Sequence, residues 1–180
     1  EGFVEAATRF LAQPDAVGCN VTMPFKLDAY HLAQVDDQAA KDAKAVNTLM
    51  NHEDGTIKGF NTDGVGLVND LLNNGVALKN KRVLLIGAGG AARGVISPLL
   101  EAGVASLIMT NRTIARAEQV ANETNHTRLS VVSLDNIASV KPHVIINSTA
   151  ASLHNELPCR MNAKVLEDCE VVYDMVYKNS

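Results

Sequence analysis

The chain has 180 residues, 47% apolar and 20% charged, with a formal net charge of −4. These proportions fit a globular protein of one large or two small domains and exclude a disordered tail, a collagen-like fibre and a coiled-coil rod. The negative charge argues against nucleic acid or a membrane surface as the main partner, because both are bound through basic fields. No apolar run approaches ~18 residues, so no spanning helix is expected.

Residues 1–16 carry Phe3, Val4, Ala7, Phe10 and Leu11 at helical spacing, which predicts an amphipathic helix ended by Pro14. A short strand over 18–22 follows, closed by Pro24, and helical periodicity resumes over 26–43. Two strands are expected at 45–50 and 56–60, with Asp54-Gly55 between them as a hairpin signal. From Asp63 the pattern becomes a regular alternation of helix and strand. Asp63 is a candidate N-cap for a helix over 64–73, with Gly75 beyond its end. An apolar strand over 82–86 runs into a glycine cluster. The helix over 90–102 contains Pro98, which costs a hydrogen bond and predicts a kink. Strand 105–110, helix 113–123 and strands 129–132, 144–147 and 171–174 complete the series. Apolar strands separated by helices imply an α/β fold with a doubly wound parallel sheet buried on both faces.

Cys19, Cys159 and Cys169 form an odd set without a C-x-x-C pair, and the five histidines show no i, i+4 pairing. Neither a disulfide framework nor a metal site is expected, and the cysteines read as small buried hydrophobes in a reducing cytosol. N-x-[ST] matches at Asn20, Asn111, Asn122, Asn125 and Asn147 suggest a secreted glycoprotein. The acidic start lacks a secretory leader, so they read as turn, cap or site residues. The chain opens without Met and stops soon after an apolar strand, which suggests a fragment of a longer, cytoplasmic protein.

Gly87-Ala88-Gly89-Gly90-Ala91-Ala92 fits G-x-G-x-x-A directly after a strand and at the opening of a helix. In that setting Gly87 permits the tight turn and Gly89 lets a pyrophosphate approach the backbone. Ala92 allows close helix–strand packing, and the helix N-terminus offers free N–H groups. Outside such a setting the same run is only a tight turn. The next strand ends Thr110-Asn111-Arg112-Thr113-Ile114-Ala115-Arg116. A non-phosphorylated dinucleotide calls for a carboxylate there. None is present, and Arg112 and Arg116 stand one helical turn apart as bidentate partners for a 2′-phosphate. The expected cofactor is NADP(H), on Gly87, Ala88, Gly89, Gly90, Ala91, Asn111, Arg112, Thr113 and Arg116. Chance arginines at a solvated helix start are the alternative.

In Asn20-Val21-Thr22-Met23-Pro24-Phe25-Lys26 a strand ends at Thr22 and a helix begins at Lys26. A lysine there opposes the positive end of the helix dipole, so it either serves a site or is simply solvated. Ala45-Val46-Asn47-Thr48 and Asn61-Thr62-Asp63-Gly64 are two further polar clusters.

In order and spacing, the stretches 20–26, 45–48, 61–66, 87–92 and 111–116 together resemble the shikimate dehydrogenase family over nearly the whole chain. The resemblance implies an enzyme that reduces 3-dehydroshikimate to shikimate with NADPH, on the route to aromatic amino acids. It implies a substrate-binding, catalytic domain in part over 1–62 and a Rossmann-like NADP domain over 63–180. By position it makes Lys26 the catalytic lysine and Asp63 its carboxylate partner. Thr22, Lys26, Asn47, Asp63 and Tyr177 become substrate ligands, and Met175 lines the nicotinamide pocket. No metal is implied, and the assembly is a monomer or homodimer. The chemistry is coherent: hydride delivered to a ketone carbon leaves a developing alkoxide, to which an ammonium offers a proton and a positive neighbour. A nearby carboxylate keeps that lysine charged and oriented.

The chain also departs from the family. The N-terminal serine pair that grips the substrate carboxylate is absent, as is the C-terminal segment with its glycine and glutamine. Ala150 and Ser152 stand where the family usually has Ser and Gly, and Gln38 where an acidic residue is common. The expectation is a piece that binds NADP(H) better than it catalyses. Three alternatives differ in class. A quinate/shikimate dehydrogenase using NAD is opposed by Arg112 and Arg116. A glutamyl-tRNA reductase has a similar nucleotide domain but a nucleophilic cysteine and no N-V-T-x-P-F-K. The third is a non-catalytic NADP-binding module.

Overall fold

The computed structural model describes residues 2–159 and 161–176. Strands β1 (Gly18–Asn20), β2 (Thr48–Asn51) and β3 (Ile57–Phe60) form an antiparallel sheet in that order. Strands β4 (Arg82–Ile86), β5 (Ser106–Thr110), β6 (Leu129–Val131), β7 (Val144–Asn147) and β8 (Val171–Asp174) form a parallel sheet. Its order is β6-β5-β4-β7-β8, so the direction of winding reverses between β4 and β7. In open α/β sheets a ligand crevice lies at the carboxyl ends of the strands beside such a switch point.

The apolar runs explain the parallel sheet. Along β4, Val83 and Leu85 enter one core while Leu84 and Ile86 enter another. The first core takes Leu67 and Leu71 from helix α4 (Asp63–Asn73), Val95 and Leu99 from α5 (Gly90–Glu101) and Ala117 and Val120 from α6 (Ile114–Thr124). The second takes Ile137 from a 3₁₀ turn at Leu134–Ser139 and Val165 from the short helix Ala163–Leu166. Both faces are thus covered, which is the doubly wound arrangement expected. Each fully buried branched side chain contributes roughly 1.5–3 kcal/mol relative to exposure.

The first sheet is thinner. Its single core joins Ala7 and Leu11 of α1 (Phe3–Leu11), Ala29 of α2 (Lys26–Leu32), Ala40 of α3 (Gln38–Ala43) and Val21, Val46 and Leu49. Here the observed elements differ from expectation. Helix α1 ends at Leu11, and Val4 and Phe10 are exposed; only Ala7 and Leu11 of the expected face are buried, while Phe3 stacks on Phe25 with ring centroids 4.9 Å apart. The expected helix over 26–43 is two helices. Between them Gln34 lies along β3, donating to Ile57 O at 2.8 Å and accepting from Gly59 N at 3.1 Å. Asp37 then caps α3 by accepting from Ala40 N at 2.9 Å. Strand β2 starts at Thr48, because Ala45 and Val46 are buried in the turn that precedes it.

Smaller differences have equally local causes. Asp63 is the first residue of α4 rather than its cap; Thr62 occupies the cap position and makes no side-chain cap bond. Helix α5 continues past Pro98, with Ala102 N donating to Pro98 O at 2.9 Å. The 3₁₀ turns at Leu134–Ser139 and Ala151–His154 and the helix at Ala163–Leu166 were not expected, being too short to show periodicity. The three cysteines are half-buried rather than buried, and desolvation pushes each thiol up from its ordinary value. Among the described residues no helix is long and apolar enough to cross a membrane.

Helices α3 and α4 both pack on α5, joining the two sheets. At the rim of that seam Glu123 of α6 accepts from Lys44 Nζ at 3.0 Å, Arg93 Nη1 at 2.9 Å and Gln119 Nε2 at 2.8 Å.

Candidate active site

Two loop-to-helix junctions and the turn between α3 and β2 bring the polar clusters together. The turn after β1 contains a cis Met23–Pro24 bond and leads into α2, whose first residue is Lys26. Lys26 Nζ donates to Asp63 Oδ2 at 2.5 Å, with the side chains only 12% and 16% exposed. Asn47 Nδ2 donates to the other carboxylate oxygen, Asp63 Oδ1, and to Thr62 Oγ1, both at 2.9 Å. Asn47 Oδ1 accepts from Thr48 Oγ1 at 2.9 Å and Thr62 N at 3.2 Å, which fixes which way its amide points. Asp63 spends its side chain on Lys26 and Asn47, which is why it is not a cap.

The support beneath this group was not singled out from sequence. Buried Asn61 donates to Ala45 O at 2.9 Å and accepts from Asp63 N at 3.1 Å, while its own N–H donates to Asp37 Oδ2 at 3.0 Å. A carboxylate two residues before an alanine run signals a helix cap. Its second bond to Asn61 is a tertiary contact that no local pattern reveals.

A cleft of about 530 Å³ opens over these residues. Asn20, Thr22, Lys26, Asn47 and Asp63 line it together with Ala91, Ser148, Leu153 and Met175. Thr22, Lys26, Asn47, Asp63, Ala91 and Met175, all expected at a site, therefore share one cavity. Tyr177 lies outside the described residues. Ser148 was not expected there; its hydroxyl donates to Ile86 O at 2.7 Å and backs the glycine turn.

The glycine turn has the backbone that its motif demands. Gly87 has φ +122°, a region essentially closed to other residues, and a Cβ there would run into Ser148 Oγ. A Cβ on Gly89 would meet nothing within 4 Å, so protein packing does not call for glycine at that position. Gly89 is the N-cap of the twelve-residue α5 and supplies no side-chain cap, which leaves the first-turn N–H groups facing the same opening. Open space, free donors and the positive helix end together fit the phosphates of a dinucleotide. Gly90 touches the other group: a Cβ there would lie 3.1 Å from Lys26 Cβ.

Asn111, Arg112, Thr113 and Arg116 do not line the cleft. They sit beside the glycine turn at the end of β5 and start of α6, linked by Gly87 N donating to Thr110 O at 2.8 Å. Asn111 Nδ2 donates to Thr113 O at 2.8 Å, shaping that corner. Arg112 and Arg116 are exposed; the Arg116 N–H donates to Thr113 O at 3.0 Å, and neither guanidinium has a hydrogen bond or ion pair to the described residues.

Comparison with known proteins agrees with this geometry. The pattern of the Shikimate / quinate 5-dehydrogenase family matches residues 69–172, and that of the shikimate dehydrogenase substrate binding domain matches residues 1–49. A shikimate dehydrogenase (NADP(+)) of Alteromonas mediterranea is 71% identical over the entire chain, which spans 64% of that relative's length. Among solved structures, an Ael1 enzyme from Pseudomonas putida superposes with TM-score 0.85 at 38% identity, covering 97% of this chain and 64% of that one. A shikimate 5-dehydrogenase from Thermus thermophilus, in complex with NADP(H) and shikimate, superposes with TM-score 0.82 at 30% identity, covering 98% and 65%.

Proposed function

The chain belongs to the shikimate / quinate 5-dehydrogenase family, and on that premise we propose that it carries the catalytic and cofactor-binding parts of an NADP-dependent shikimate dehydrogenase. In this reading residues 1–62 are part of the substrate domain and 63–180 the cofactor domain. The observation that carries it is the hydrogen-bonded Lys26–Asp63–Asn47 group lining one cleft with Ala91 and Met175.

The Gly87–Ala91 turn and the α5 N-terminus would hold the phosphates of NADP(H), Asn111, Arg112, Thr113 and Arg116 would take its 2′-phosphate, and Met175 would line the nicotinamide pocket. When bound, the cofactor supplies or accepts the hydride exchanged with carbon 3 of the substrate. The protein's part is proton delivery and orientation. In the reductive direction the Lys26 ammonium donates a proton to the oxygen that becomes the new hydroxyl, and takes one back in reverse. Asp63 Oδ2 holds that ammonium, and Asn47 holds Asp63 in turn. Thr22, Asn47 and Asp63 are assigned to the substrate hydroxyls, a reading supported by their sharing the cleft with Lys26, and Tyr177 is assigned as a further substrate ligand. The partners are then the small substrate and cofactor, without nucleic acid or membrane, in a cytoplasmic monomer or homodimer.

Consumption of NADPH on addition of 3-dehydroshikimate, measured on the whole protein, tests the proposal. Turnover should favour NADPH over NADH. Replacing Arg112 and Arg116 by Ala should erase about tenfold or more of that preference, since charge-assisted bonds contribute about 1.5–3 kcal/mol each. No turnover despite NADPH binding would leave a nucleotide-binding module. Equal use of NADH would point to the NAD-dependent quinate/shikimate activity.

A further inference from the structure

Asn147 closes β7 at the switch point, and it is 3% exposed. Its side chain ties together two segments that border the cleft. Asn147 Oδ1 accepts from Thr149 N at 3.0 Å and Thr149 Oγ1 at 2.8 Å, folding back the loop that carries Ser148. Because a backbone N–H can only donate, these bonds fix the amide orientation and leave Nδ2 as the donor to Asp174 Oδ2 at 3.1 Å. Asp174 Oδ1 accepts in turn from Val176 N at 2.9 Å. The Asn147 carbonyl receives Met175 N at 2.9 Å. The segment 174–176 is therefore held on both sides of Met175, which lines the same cleft as Lys26.

From this arrangement, and resting on the functional reading above, we propose that Asn147 and Asp174 are positioning residues. They form a donor–acceptor clamp that sets Met175 and the 148–152 loop against the nicotinamide. The clamp touches neither the Lys26–Asp63 pair nor Thr22 and Asn47. Its loss acts on cofactor use and leaves the Thr22, Lys26, Asn47 and Asp63 side of the site in place. A buried amide that satisfies two segments at once is costly to disturb, because any substitution strands polar groups.

The test exchanges donor and acceptor. Asn147→Asp removes the donor and sets two carboxylates against each other, while still accepting from Thr149. Asn147→Asp with Asp174→Asn moves the donor to the other side and keeps every bond. The single variant should lower kcat/KM for NADPH by about tenfold or more, with KM for 3-dehydroshikimate unchanged within about twofold. In the ligand-free protein, amide exchange at Val176 should speed up by about tenfold. The double variant should bring both measurements back to within about threefold of the parent. Unaltered cofactor use and exchange in the single variant, or no recovery of either in the double, overturns the clamp. Should Asn147→Asp not fold, Asp174→Asn alone, at an exposed position, must still speed exchange at Val176. A parent protein without turnover overturns only the functional reading, and the exchange comparison then decides the clamp by itself.

Discussion

The two sheets hold their functional groups by different means. The parallel sheet is buried on both faces, and around the switch point it presents backbone: a turn at Gly87, an uncapped helix end and the strand ends around them. The antiparallel sheet has one core on one side, and what it offers is side chains: Lys26 and Asn47, fixed with Asp63 through a hydrogen-bonded chain that runs back to Asn61 and Asp37. A deep core suits recognition by shape, because the backbone cannot shift without disturbing many packed side chains. Placing a reactive ammonium needs few apolar contacts but requires each polar partner to be satisfied.

If that contrast holds, damage on one side should leave the other readable. The largest effect is expected from Lys26→Ala: kcat falls by roughly 10²–10⁴-fold. KM for 3-dehydroshikimate should change little and NADPH binding should survive, which steady-state kinetics and cofactor fluorescence titration will show. Near-normal turnover would remove Lys26 from the chemistry. Gly87→Ala should do the reverse. The positive φ and the contact with Ser148 Oγ cost about 1–3 kcal/mol in strain, visible by denaturant unfolding, and NADPH binding should weaken. Binding of shikimate alone should persist.

The smallest effect belongs to the seam. Hydrogen bonds from Arg93, then Gln119 and Lys44, hold the Glu123 carboxyl at about 2, down from 4.5. A depressed carboxyl stabilises the fold above its unfolded value and loses that contribution as pH falls toward its folded value. Between about pH 4.5 and 2, Glu123→Gln should therefore flatten the acid-side loss of stability. The carboxylate is 27% exposed and partly screened, so the difference near neutrality should stay below about 1 kcal/mol in denaturation at a series of pH values.

The same contrast decides what could be read from the sequence. Strands β4, β7 and β8 fall at the limits expected, because continuous apolar runs between helices need no long-range information. The glycine turn was legible for the same reason: its motif is written into the short run Gly87–Ala92 directly after a strand. The antiparallel half was blurred. Its helix break at Gln34 depends on pairing with β3, and its late strand start depends on burying Val46, both set by distant residues. The side chains of the Lys26 group were found by resemblance and by their polar clustering. Asn61 stands in one of those clusters but its supporting role was not read, and Asp37 and Ser148 were not singled out, since their partners lie 24 and 62 residues away.

Gly90 links the two halves at one atom's distance. Its missing side chain leaves room for the Lys26 stem against the first turn of α5. The helix end assigned to grip phosphate and the ammonium assigned to move a proton thus share a wall with no slack. Even a methyl group at position 90 would press on the lysine, so the two halves must evolve here as a matched pair, and a change at this spot reaches both partners of the reaction together.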